Sequence, residues 1–160
     1  GGIKMGLNEC VGDYLGWVHA DLQYSIPEII KNIQTNAGLN SFVKGRRQGR
    51  ALVDQFISLN FSVFASLLFQ HRLFDINAQP TFFHKSFISN FDSLPNDFSI
   101  DLFVYVLAKK MRLKICKFNV KFEARRFGNS SWNSGLKSIL SMSIRTVKFS
   151  LKLRLNRAIN

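Results

Sequence analysis

The stretch from Asp101 to Phe122 changes its apolar period half-way along, and that change sets the fold class. Asp101–Arg112 (DLFVYVLAKKMR) opens on an acid and closes on a Lys/Lys/Arg cluster, both of which complement a helix dipole. Lys114–Phe122 (KICKFNVKF) then alternates with a period of two, the pattern of a half-exposed strand. The same alternation recurs upstream, which points to α/β rather than all-α. Tyr14–His19 (YLGWVH) reads as a buried strand, and Pro27 followed by EIIKNIQ as a helix with proline in its first turn. Ser41–Lys44 is a short strand running into Gly45. Ala51–Gln70 is too long for a strand and so densely apolar that it predicts a largely buried or interfacial helix. At the C-terminal end, Val147–Leu155 alternates like a strand, yet Leu140, Ile144, Val147, Leu151 and Leu155 also share one helical face. Continuity of that pattern from Leu136 favours the helix.

Composition narrows the class of partner. Hydrophobic residues make up 46 % of the 160, enough for a core and too many for a disordered basic tail. The net charge of +12 is unevenly spread: residues 1–101 carry 8 basic and 9 acidic side chains, residues 102–160 carry 14 basic and only Glu123. A basic half beside a neutral one points to an anionic partner. Cys10 and Cys116 are too far apart for a CxxC motif and are expected to be reduced thiols. No uninterrupted apolar run reaches the roughly 18–20 residues of a membrane span, Ile57–Phe69 being the most apolar stretch. The 16 Phe fall mainly in apolar runs, and no helix-turn-helix, zinc or RNA-recognition pattern occurs, so nucleic acid is not the expected partner.

The segment most suggestive of chemistry is Gly12–Gln23 (GDYLGWVHADLQ). An apolar strand delivers an acid and, two residues on, an amide to its C-terminal end, where ligands bind in open α/β sheets. Such an oxygen pair can hold a hard divalent cation that keeps sites free for water and phosphate. A solvated turn acid would give the same pattern. Val43–Arg47 (VKGRR) with Arg50 puts planar, permanently charged forks beside a glycine that lets backbone approach closely. Asp75–Pro80 (DINAQP) before Thr81-Phe82-Phe83, Asp97–Leu102 (DFSIDL), and Phe122–Trp132 (FEARRFGNSSW) complete the series. By capping logic alone, Asp101 is a helix-start residue.

Together these segments resemble the family 2 glycosyltransferases, particularly the dolichyl- and polyprenyl-phosphate sugar transferases. Asp21 and Gln23 fall on that family's Asp-Ala-Asp-Leu-Gln metal signature, with His19 where the family has its first acid. Manganese tolerates an imidazole there better than magnesium does. Val43–Arg47 resembles the Val-x-Gly-Ser-Arg strand end, and Arg125, Gly128 and Ser130 fall on an Arg-x-x-Gly-x-Ser pattern, with Ser131 where the family often has Lys. The resemblance implies a partial GT-A-type (nucleotide-diphospho-sugar transferase, Rossmann-like) α/β domain that lacks its first strands. Residues 1–135 would be its later two-thirds, with Gly1–Val11 as the helix before the metal strand. Residues 136–160 would be a basic amphipathic segment able to lie on an anionic membrane.

The resemblance further implies transfer of a sugar from a nucleotide-diphosphate donor to a lipid phosphate or glycan. A divalent metal (Mg²⁺ or Mn²⁺) on Asp21 and Gln23, with His19 beside them, would stabilise the leaving group. Arg46, Arg47, Arg50, Gln79, Arg125, Gly128 and Ser130 would bind substrate and phosphate. For a hydroxyl acceptor, Asp101 or Asp97 would be the base. The expected location is cytoplasmic, peripheral at the inner face of a membrane, and the 160 residues alone are expected to be inactive. The competing expectation is a transferase-like domain without catalysis, to which His19 and the missing first strands point.

Overall fold

The computed structural model describes residues 1–19, 25–88, 94–97, 99–121 and 136–155. In chain order the elements are α1 (Gly2–Glu9), β1 (Tyr14–Trp17), α2 (Ile26–Asn36), β2 (Ser41–Gln48), α3 (Leu52–Phe69), β3 (Thr81–His84), α4 (Ile100–Lys110), β4 (Lys114–Lys121) and α5 (Leu136–Leu155), with a short 3-10 turn at Lys85–Phe87. The class is α/β as expected, and the change of period near residue 112 marks the passage from α4 to β4. Pro27 lies in the first turn of α2, where its missing N–H costs nothing.

The sheet is mixed rather than parallel, in the order β1-β3-β2-β4. β2 and β4 pair in parallel over eight residues, Ser41↔Lys114 through Gln48↔Lys121. β3 runs against both β1 and β2, so β1, β2 and β4 all point the same way. Two features differ from the sequence reading. β2 continues past Lys44 to Gln48, and Thr81-Phe82-Phe83, read as part of a loop, is the strand that joins β1 to β2.

Side-chain alternation gives the sheet two covered faces. Leu15, Trp17, Phe83 and Phe42 enter the main core with α4, whose Ile100–Val106 and Ala108 are all buried. A helix buried on every side needs apolar residues all round, which LFVYV supplies. Phe42 stacks there with Phe83, 2° from parallel at 6.2 Å, and with Tyr105, while Phe87 meets Phe42 and Phe83 edge-on. Leu7 of α1, Ala65 and Phe69 of α3 and Leu153 of α5 reach the same core. On the opposite face Ile29 of α2 and Val120 of β4 are buried, with Val18, Ile33, Phe82 and Phe118 packed around them.

Candidate functional site

Three parallel strands ending on one edge make that edge the place to look. Level with the end of β1, one cross-strand row runs across the sheet, because Trp17 pairs with Thr81, Thr81 with Lys44, and Lys44 with the exposed Lys117. Two lysines, a threonine and an indole N–H therefore stand where an ordinary sheet would carry aliphatic side chains. Period two along β2 puts Lys44 on the face of Phe42, so a buried lysine was readable in FVK, and the sequence reading missed it.

Each member of the row is held. Lys44 is fully buried; its Nζ donates to the Ala78 carbonyl (2.8 Å) and to Thr81 Oγ1 (3.3 Å) and lies 5.5 Å from the centre of the Tyr105 ring. Burial pushes the Lys44 ammonium down to about 8, against the pull of Asp101 and Asp75. Lys117 Nζ donates to the Phe74 carbonyl (2.9 Å) and sits 5.4 Å from the same ring. Trp17 Nε1 donates to Asp101 Oδ1 at 3.1 Å. Asp101 thus comes to the edge from the first turn of α4, only 8 % exposed. Burial raises its pKa, opposed by the Lys44 charge, the Trp17 hydrogen bond, the nearby His19 and a hydrogen bond from Gln79.

Gln79 reaches the site through a close backbone approach. Gly45 N–H donates to the Pro80 carbonyl (2.9 Å), across a cis Gln79–Pro80 bond. A Cβ at Gly45 would collide with the Gln79 backbone, so only glycine admits this loop. The Gln79 side chain is buried, and among the described residues its Oε1 has no partner. An unmet buried acceptor costs about 1–3 kcal/mol, and a donor on a bound molecule would meet it.

The arginines do not act as one cluster. Arg46 is exposed and lines an open cavity of about 560 Å³ together with Phe74, Asp75, Lys117, Phe118 and Asn119. Arg47 is engaged by Asp75, whose carboxylate accepts from Arg47 N, Nε (2.9 Å each) and Nη2 (2.6 Å). Asp75, read as a polar loop residue, holds this bond from a left-handed backbone (φ 56°) that Asp tolerates better than most residues. Arg50 Nη1 turns to Ser58 Oγ of α3 (2.7 Å). Arg46 is therefore the arginine that faces the cavity.

The two candidate bases separate cleanly. Asp97 Oδ1 accepts from Ser99 N (2.9 Å) and Ser99 Oγ (2.6 Å), a local turn that leads into α4. Asp101 makes no capping bond and instead points into the site. His19 is exposed just beyond the end of β1. Asp21, Gln23, Arg125, Gly128 and Ser130 lie outside the described residues. Among the described residues no group of three or more His, Cys, Asp or Glu could hold a metal ion.

No protein-family model, curated protein or solved structure matches this chain.

Proposed function

We propose that this chain is part of a glycosyltransferase of the family 2 type, which moves a sugar from a nucleotide-diphosphate donor to an acceptor such as polyprenyl or dolichyl phosphate. The observation that carries this reading is the tie between Trp17 and Asp101. It holds a buried carboxylate at the end of β1, four residues before Asp21 in the chain. Ligands bind at such strand ends in open α/β sheets. Gln79, whose Oε1 has no partner among the described residues, and Arg46 with Lys117 beside an open cavity, supply a polar contact and positive charge next to it.

The donor chemistry of Asp21 and Gln23, a carboxylate and an amide oxygen two residues apart, suits Mg²⁺ or Mn²⁺; the nitrogen of His19 tilts the set toward Mn²⁺. Bound there, the metal would supply charge to the departing nucleoside diphosphate. The chain's own residues do the rest. Arg46 and Lys117 attract and orient anionic oxygens, and Gln79 Oε1 accepts from a sugar or ribose hydroxyl. Asp101, its carboxylate held by Trp17, accepts a proton when the acceptor is a hydroxyl; a phosphate acceptor is already anionic and needs no base.

The test is metal-dependent nucleotide-sugar turnover by the protein. Asp21→Ala is expected to lower metal-dependent turnover by about 100-fold or more. Unchanged turnover overturns the assignment. His19, an imidazole in the family's acid position, favours a second reading, a domain that binds donor without transferring sugar. Saturable nucleotide-sugar binding with no product would establish that one.

A further inference from the structure

Helix α5 buries its smaller face and leaves its leucine stripe uncovered. The inward side is Thr146, Phe149, Ser150 and Leu153, with Ser150 and Leu153 buried. Leu140, Ile144, Val147, Leu151 and Leu155, spaced four, three, four and four residues apart, form one line on the other side. Their exposures run from 37 % at Val147 to 81 % at Leu155. An amphipathic helix packed on a domain through its apolar face would show the reverse. Exposed lysines border the stripe: Lys148 stands four residues from Ile144 and three from Leu151, and Lys152 follows four residues later.

Helix α3, which touches α5, repeats the arrangement. Ser62, Ala65 and Phe69 face inward, while Leu52, Phe56, Leu59, Val63 and Leu67 share the outer side at 49 % to 81 % exposure. Its 18 residues contain no Lys or Arg and have a mean hydropathy of 1.6, with 17 % of the helix buried. By length and composition alone α3 is long and apolar enough to cross a bilayer, although Ser and Asn interrupt its apolar residues. The bonds on its inner side set it against the domain instead. Ser62 Oγ accepts from Asp75 N (3.3 Å), and Ser66 Oγ accepts from Leu73 N (2.9 Å) while donating toward the Leu73 carbonyl (3.1 Å). The chain after α3 therefore folds back along the helix.

We propose that α3 and α5 together are a membrane-docking face, their outer stripes seated in the interfacial layer of an anionic bilayer with Lys148 and Lys152 on headgroup phosphates. Apolar residues in line, with cations at the border, are what an in-plane helix needs. Charge decides between lipid and a second copy of the chain. The 20 residues of α5 carry Lys137, Arg145, Lys148, Lys152 and Arg154 and no acid, so self-association through α5 brings like charges together, whereas an anionic surface neutralises them. This extends the expectation for residues 136–160 to α3, and it stands whether or not the chain transfers a sugar.

Vesicle co-sedimentation of the 160-residue chain tests it, with phosphatidylcholine alone against an equal mixture of phosphatidylcholine and phosphatidylglycerol. Binding is expected to the mixture, to weaken with added salt, and to fall about tenfold or more in the pair Lys148→Glu and Lys152→Glu. It should fall separately in Phe56→Ser with Leu59→Ser, and in Ile144→Ser with Leu151→Ser. All six side chains are exposed, and circular dichroism checks that each variant keeps its helix content. Three results would each overturn the proposal: no binding to the mixed vesicles, binding indifferent to the apolar variants, or a dimer in solution that the same variants dissociate.

Discussion

Trp17 and Asp101 are 84 residues apart in the chain, and the 3.1 Å bond between the indole Nε1 and the carboxylate Oδ1 joins the end of β1 to the first turn of α4. It is a buried, charge-assisted contact across the main core, so it fastens the edge strand to the central helix as well as orienting the carboxylate. Trp17→Phe keeps most of the ring volume and deletes the donor. The expected loss is about 1.5–3 kcal/mol in urea denaturation, and the Asp101 pKa, already raised by burial, should rise further in an NMR titration.

Lys44 makes stability depend on alkaline pH. In the folded chain its ammonium titrates near 8, against an ordinary value of 10.5. Between those values the unfolded chain holds more protons than the folded one, so stability is expected to rise with pH from about 8 to about 10.5. The full rise is about 3 kcal/mol. Lys117, also lowered by burial, adds in the same direction. Comparing the pH dependence of the urea midpoint in the native chain and in Lys44→Met isolates the Lys44 share; an identical slope in both would show that Lys44 titrates normally.

Asp101 acts in the opposite sense. Its raised pKa means that the folded chain retains a proton the unfolded chain has lost, so stability falls as pH climbs from about 3.8 through the raised value. Asp101→Asn should remove that fall. It should also take the Lys44 pKa below about 8, since the Asp101 charge is the first of those that support it. A ¹³C-detected lysine titration checks the second effect.

Two glycine-to-alanine changes should differ in sign. Gly45→Ala puts a methyl group into the Gln79 backbone and should cost about 1–3 kcal/mol or displace the loop. Gly6→Ala, inside α1 with nothing within 4 Å, should stabilise by about 0.5–1 kcal/mol. Thermal denaturation of the two variants side by side tests both.

The Arg47–Asp75 pair should show strong coupling. Both side chains are mostly buried, at 13 % and 18 % exposure, and the contact is bidentate with an added backbone bond. A double-mutant cycle with Arg47→Met and Asp75→Asn is expected to give about 1–2 kcal/mol. A coupling near zero would leave Arg47 available to a phosphate.

Local signals were legible where the chain carries its own pattern. The period change at residue 112, Pro27, and the apolar density of Ala51–Gln70 each correspond to an element in place. β3 was not legible, because four residues are too few to display alternation and their partners, residues 14–17 and 42–44, are distant in sequence. The stripe on α5 was visible but its direction was not. That depends on Thr146, Phe149, Ser150 and Leu153, a second face whose claim on the domain rests on packing rather than hydrophobicity. In the site, Asp101 was legible as a helix-start acid and does stand in the first turn of α4, but its bond to Trp17 was not, since that partner lies on another element. Arg47 was read as free for phosphate because nothing nearby in sequence announces Asp75.

β3 has a consequence for the shape of the edge. Being antiparallel, it begins at Thr81, level with the last residue of β1 and with Lys44 of β2, and it keeps β1 and β2 from touching. The strand leading to Asp21 and the strand carrying Arg46 are therefore two strand spacings apart, about 10 Å. Thr81 lies between them, with Gln79 just before it in the chain. The reversed strand thus acts as a spacer between Asp101, tied to Trp17 at the end of β1, and Arg46 on β2.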